Sequence, residues 1–156
     1  MSTPPAEDVR AFVRGSLWDM FLARYPEADQ MHKHALWTSR RARALPEGSA
    51  GRAEAITAAL RAQCNCAYWH GLFGGLYLPH LRRAVWNNIV ALEAKLDARQ
   101  ARAATATVDL DFDGKTETLA HTSALQVVVR NDGLAAAHEL SSYALNHNFG
   151  DTLRRY

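Results

Sequence analysis

Cysteine is scarce in this chain. There are two in 156 residues, Cys64 and Cys66, one residue apart. A lone pair at that spacing is no disulfide framework, so a reducing, cytoplasmic setting is expected. Long apolar runs are missing too. No stretch approaches the ~18 consecutive apolar residues of a membrane span, so no membrane partner is expected. The start, Met1-Ser2-Thr3-Pro4-Pro5, has no basic region leading into an apolar run, and no signal peptide is expected. Nor is there a large excess of one charge. The net charge is +2 and the sequence pI is about 8.7, below the guide of about 9 for a nucleic-acid-binding domain. The basic groups Arg40-Arg41-Arg43 and Arg82-Arg83 sit in Ala-rich stretches and read as solvent-facing, so no nucleic acid is expected. Tandem repeats and low-complexity tracts are also absent.

What remains is an ordinary globular composition, 48% apolar and 22% charged. The charge is unevenly spread. Residues 1–103 carry 14 Lys/Arg and 9 Asp/Glu, whereas residues 104–156 carry 4 and 7. The sign change coincides with a shift from Ala, Arg and Leu to Thr, Val and alternating patterns. It suggests a helical domain over 1–103 and a strand-rich one over 104–156.

The first part reads as about four helical segments. One covers roughly residues 7–24, weakened at Gly15. A second starts at Pro26, where proline suits a first turn and Glu27 and Asp29 complement the dipole, and runs to about Leu45. A third starts near Gly51, with Ile56, Leu60 and Ala67 on one stripe. The fourth begins at Pro79, and its Leu81, Val85, Ile89, Leu92 and Leu96 recur at helical spacing. In the second part, residues 107–112 alternate with period two, and Asp113-Gly114 predicts a two-residue hairpin turn. Strands returning over 115–121, then 125–130 and 134–143, complete the reading. The predicted class is α+β, a four-helix-type bundle followed by an antiparallel β region.

One segment is odd for a structural linker. From Gln63 to Arg83 it gathers Tyr68, Trp69 and Phe73, two histidines, both cysteines and several glycines between helices. Sugars are held by aromatic rings against their C–H faces and by polar groups on their hydroxyls. Trp69, Tyr68 and Phe73 supply rings; His70, Asn65 and Gln63 supply hydrogen bonds. The plainer alternative is that the aromatics fill a core and the glycines cap helices.

Other constellations point to structure. Cys64, Cys66, His70 and His80 lack the paired spacing of a zinc site, and no metal or other cofactor is expected. Asp109, Asp111, Asp113 and Gly114 imitate the start of a calcium loop, but Ala120 stands where its closing glutamate would be. A hairpin with outward aspartates and a buried face of Val108, Leu110 and Phe112 accounts for the run. Glu93 and Asp97, four apart with Lys95 and Arg99 nearby, read as a solvated helix face.

The block from Gln63 to Arg83 resembles a block of glycoside hydrolase family 57, in its α-amylase/4-α-glucanotransferase branch. The run Leu17–Glu27 with Met31-His32-Lys33 is similar to that family's entry into its middle helical domain. Asp109–Gly114, Asn131–Leu134 and Asp151–Arg155 resemble its C-terminal β domain. The resemblance implies a middle domain packed against a catalytic β/α barrel, and the start of a mutarotase-like sandwich. It implies α-glucan or maltooligosaccharide as ligand. Trp69 and His70 would be sugar contacts, with Asn65, Tyr68, Gly71 and Phe73 as neighbours.

In that family the barrel holds a glutamate nucleophile and an aspartate acid/base. A retaining glycosidase needs two carboxyl groups about 5–5.5 Å apart. The chain shows no barrel pattern of alternating strands and helices, and its acids are scattered. It is therefore expected to be a piece of a larger enzyme without catalysis of its own. Hydrolase and transferase are not separated. The rival is a stand-alone helical interaction module. If a barrel normally covers it, Leu72, Phe73, Tyr77 and Trp37 should be exposed and promote self-association.

Overall fold

A computed structural model describes residues 17–70, 72–133 and 136–153. Helices α1 (Trp18–Arg24), α2 (Pro26–Arg43), α3 (Arg52–Arg61) and α4 (Pro79–Asp97) come first. Five strands follow: β1 (Thr105–Val108), β2 (Glu117–His121), β3 (Leu125–Arg130), β4 (Ala137–Ser142) and β5 (His147–Asn148). They form one antiparallel sheet in sequence order. This is the α+β class expected from sequence. The predicted first helix reaches back to residue 7, and its part before Leu17 lies outside the described residues, as does the predicted strand start at 134–135.

The elements form where local chemistry allows. Pro26 occupies the first turn of α2, and Pro79 that of α4. Along α4, Val85, Ile89, Leu92 and Leu96 are all buried, as their spacing predicts. Two clusters line this helix. Val85, Trp86 and Ile89 meet Met31, Ala35, Ala62, Ala67 and Tyr68; Leu92 and Leu96 meet Ala42, Leu45, Ala55, Ala58 and Ala59.

Several expectations need correction. Helix α3 stops at Arg61, so Ala67 lies in a short 3-10 turn (Asn65–Ala67) and Leu60 is 59% exposed. The alanines 55, 58 and 59 face the core instead, because small side chains let α3 approach α4 closely. Strand β1 ends at Val108, so residues 109–116 form a loop rather than a two-residue turn. Phe112 there takes a left-handed φ of 59° and lies beneath the Arg40 guanidinium, 4.5 Å from the ring centre, instead of joining a strand face. Within that loop, the Asp109 carboxylate accepts the amides of Asp113 and Gly114, and Glu117 accepts that of Leu110.

The third correction concerns Glu93 and Asp97, which are not on a solvated face. Glu93 is fully buried and Asp97 nearly so. Their partners come from α2, from β3 and from the segments that follow α4 and β4, which no helical wheel shows. The His34 ring stands between two carboxylates, Nδ1 2.8 Å from Glu139 and Nε2 3.0 Å from Glu93. The Gln126 carboxamide donates to the other Glu93 oxygen. Asp97 accepts from Arg41, from Arg102 through two nitrogens, and from the Tyr143 hydroxyl, each at 2.7 Å. Arg41, read as solvent-facing, is thus spent inside, as is Arg82. Trp37 is half-buried rather than exposed: it packs on Leu110 of the β1–β2 loop and on Leu119 and Val128 of the sheet, beneath the guanidinium groups of Arg41 and Arg102.

This network makes stability pH-dependent. Burial alone would push the His34 imidazole down, but Glu139 and Glu93 outweigh it and raise the ring from 6.5 to about 10. The folded protein then holds a proton that the unfolded chain gives up. His34's stabilisation is complete below about pH 6.5 and is lost as pH rises toward 10. Urea midpoints measured from pH 6 to pH 10 should fall steadily, and the slope should flatten in His34→Asn. Asp97 works at the acid end. Burial opposes its ionisation, but the bonds from Arg102, Tyr143 and Arg41 prevail and hold it below the usual carboxylate range.

Candidate functional site

The glycine-rich connection between α3 and α4 carries the expected site residues, and its backbone is tightly specified. The Leu76 amide donates to the Trp69 carbonyl at 2.7 Å, closing the loop on itself. Gly74 and Gly75 have φ of 104° and 48°. At Gly75, a Cβ would lie 2.0 Å from the Trp69 carbonyl oxygen and 3.0 Å from that of Cys66, so only glycine fits. Leu76 then drops into a cluster with Leu22 and Ala28, flanked by Phe21, Tyr25 and Leu153. The buried Arg82 fixes the loop from below. Its Nη1 donates to the Leu76 carbonyl at 2.6 Å and its Nε to Asp151 at 2.9 Å.

On this frame the six expected residues separate. Trp69 is 43% exposed and Phe73 86% exposed. His70 and Asn65 are exposed. Tyr68 is buried, and its hydroxyl donates to the Ala62 carbonyl; burial pushes that phenol well above its usual range. Gly71 lies outside the described residues. Leu72 and Tyr77 are exposed as expected, whereas Trp37 is half-buried against the sheet.

His70 is the centre of a ring cluster. Phe21, Tyr25 and Tyr77 surround it with centroids 5.5, 5.7 and 5.7 Å away. The hydroxyls of Tyr25 and Tyr77 bond to each other at 2.7 Å. Phe21 and Tyr25 were not legible as site residues. They lie four apart on α1 and its end, which reads equally well as a core stripe. Next to this cluster, Trp18, His32 and Tyr68 meet edge to face, and with Gln63 and Asn65 they line a shallow cleft of about 230 Å³. His32 is shifted downward, first by burial and then by Lys33.

The arrangement is suited to holding a neutral polyhydroxylated ligand. It offers ring faces for C–H surfaces, and an imidazole, a carboxamide and phenols for hydroxyls. Among the described residues, the gathered carboxylates lie elsewhere, around His34 or at the β1–β2 connection, where Asp109, Asp111 and Glu117 approach within 4.8 Å. Burial raises Asp111 and Glu117. Cys64 and Cys66 are exposed free thiols.

Comparison with known proteins gives the family. The profile for the alpha-amylase/4-alpha-glucanotransferase middle domain matches residues 16–96, and that for the C-terminal domain matches residues 109–156. An alpha-amylase of Pyrococcus abyssi is 42% identical over 96% of this chain and 21% of its own length. A 4-alpha-glucanotransferase of Thermococcus kodakarensis is 42% identical over 94% of this chain and 20% of its own length. The crystal structure of 4-alpha-glucanotransferase from Thermococcus litoralis superposes with a TM-score of 0.78 at 39% identity, covering 96% of this chain and 22% of that one. The chain thus spans about a fifth of the length of the curated relatives it matches. With its middle-domain match covering more than half of its residues, the chain belongs to the alpha-amylase/4-alpha-glucanotransferase family of glycoside hydrolase family 57 type.

Proposed function

We propose that this chain is the non-catalytic, substrate-contacting part of an α-glucan-processing enzyme, working beside a catalytic β/α barrel. The observation that carries this reading is the exposed ring surface of the Gly-rich loop, Trp69 and Phe73 beside His70 and Tyr77. In this reading Trp69 and Phe73 stack on glucose rings. His70 and Asn65 bond to hydroxyls, Gly71 is a neighbouring contact residue, and Tyr68 holds the loop from inside. The helical domain to residue 103 presents the site, and the β domain from residue 104 anchors it through Asp151 and Arg82.

The second reading, an interaction module without sugar chemistry, draws on Leu72 and Phe73. They are 94% and 86% exposed and have the character of a docking or self-association surface. Electrophoresis in a native gel containing amylopectin separates the two readings. The first expects the protein to be retarded relative to a polysaccharide-free gel, with no products released from maltoheptaose. Unretarded migration of folded protein favours the module, and turnover would contradict the non-catalytic role.

A further inference from the structure

We infer that the cleft between the first turns of α2 and the ends of β3 and β4 is a second saccharide-contact site, an inference that rests on the α-glucan reading above. The cleft measures about 300 Å³, at the lower end of ligand pockets, and Glu27, Gln30, Arg130, His138, Phe149 and Gly150 line it.

Its walls are built rather than accidental. Phe149 is 54% exposed, yet its amide donates to the Leu140 carbonyl at 2.7 Å, and the His147 ring meets it edge to face at 4.7 Å. Gly150 brings the backbone close: a Cβ there would lie 2.6 Å from the His138 carbonyl oxygen. Gln30 is fixed by its Nε2, which donates to Glu139 at 3.0 Å and so ties the cleft to the buried ionic network. Arg130 is held through Nε, 3.3 Å from Asp132.

The lining selects the ligand class. One half-exposed aromatic ring stands among a carboxylate, a guanidinium and a carboxamide. Glu27 and Arg130 are the oppositely charged members of the lining, and Arg130 is already engaged by Asp132, so the cleft carries no net excess of either sign to select a charged ligand. A neutral ligand with many hydroxyls uses all of these groups, stacking on Phe149 and bonding to the polar side chains. The cleft adjoins the first site along the chain. Pro26 and Glu27 line the cleft and directly follow Tyr25, whose ring belongs to the cluster around His70.

The test is a proton–nitrogen correlation NMR titration of the intact chain with maltotriose. The expected result is saturable shifts at the amides of Gln30, Phe149 and Gly150 that persist in Trp69→Ala. Phe149→Leu should weaken them roughly fivefold with the rest of the spectrum unchanged. Should Phe149→Leu disturb the fold, Glu27→Gln provides the same test. Shifts confined to residues 65–78 overturn this site and leave the proposed function standing. Cleft shifts unaffected by either substitution also overturn it. Cleft shifts without any at 65–78 uphold it while contradicting the role given to Trp69. Absence of shifts everywhere overturns both.

Discussion

Glu93→Ala is expected to lower stability by roughly 3–5 kcal/mol, the cost of breaking a buried ion pair from one side. Glu93 is completely inaccessible, 3.0 Å from His34 and 3.7 Å from Arg41, and it accepts from Gln126. Its loss leaves His34 with Glu139 alone, and leaves the Gln126 carboxamide buried without that acceptor. Urea unfolding measures the effect, with the midpoint falling and the slope unchanged. Exposed Lys95, two residues along the same helix, is the control, and Lys95→Ala should stay within about 0.5 kcal/mol. A Glu93→Ala loss below about 1 kcal/mol would show that the network is not holding α2, α4 and the sheet together.

Gly75→Ala is expected to be the most damaging change in the loop. Its Cβ would meet the Trp69 oxygen at 2.0 Å and the His70 Cα at 2.9 Å. Both are backbone atoms that cannot swing aside, and the φ of 48° adds its own strain. We expect a loss of about 3 kcal/mol or more, together with loss of retardation in the amylopectin gel. Gly114→Ala is the control. It also has a positive φ, 84°, but nothing lies within 4 Å of its added methyl, so about 1–2 kcal/mol is expected and binding should survive. Equal effects at the two glycines would contradict the close packing argued for the loop.

The helices were legible because their signals are local. The prolines at 26 and 79 and the four-residue spacing along α4 announce themselves without tertiary information. The Gln63–Arg83 block stood out by the rarity of its residue types, and the resemblance it carries is the family now shown. What was illegible depended on distant partners. Glu93 and Asp97 look like a solvated pair until Arg41 and His34 arrive from α2, Gln126 from β3 and Arg102 from the connection after α4. Asp109–Phe112 alternates like a strand, but its aspartates satisfy amides within their own loop and end the strand early. In the candidate site, Trp69 and His70 were proposed from sequence. The rings around His70 come from Phe21 and Tyr25, roughly fifty residues upstream in the chain, and only the fold brings them together.

In the proposed function Trp69, on its glycine-pinned loop, meets an α-glucan. The direct measurement is a tryptophan fluorescence titration with maltoheptaose, run on the native chain and on Trp69→Phe. Trp86 is buried and Trp37 is half-buried against the sheet, so a surface ligand should report chiefly through Trp69 and the half-exposed Trp18. A saturable change is expected in the native protein, with most of its amplitude lost in Trp69→Phe while the melting temperature stays within a few degrees. A saturable change that is undiminished in Trp69→Phe, or no change in a folded native protein, would contradict that role for Trp69.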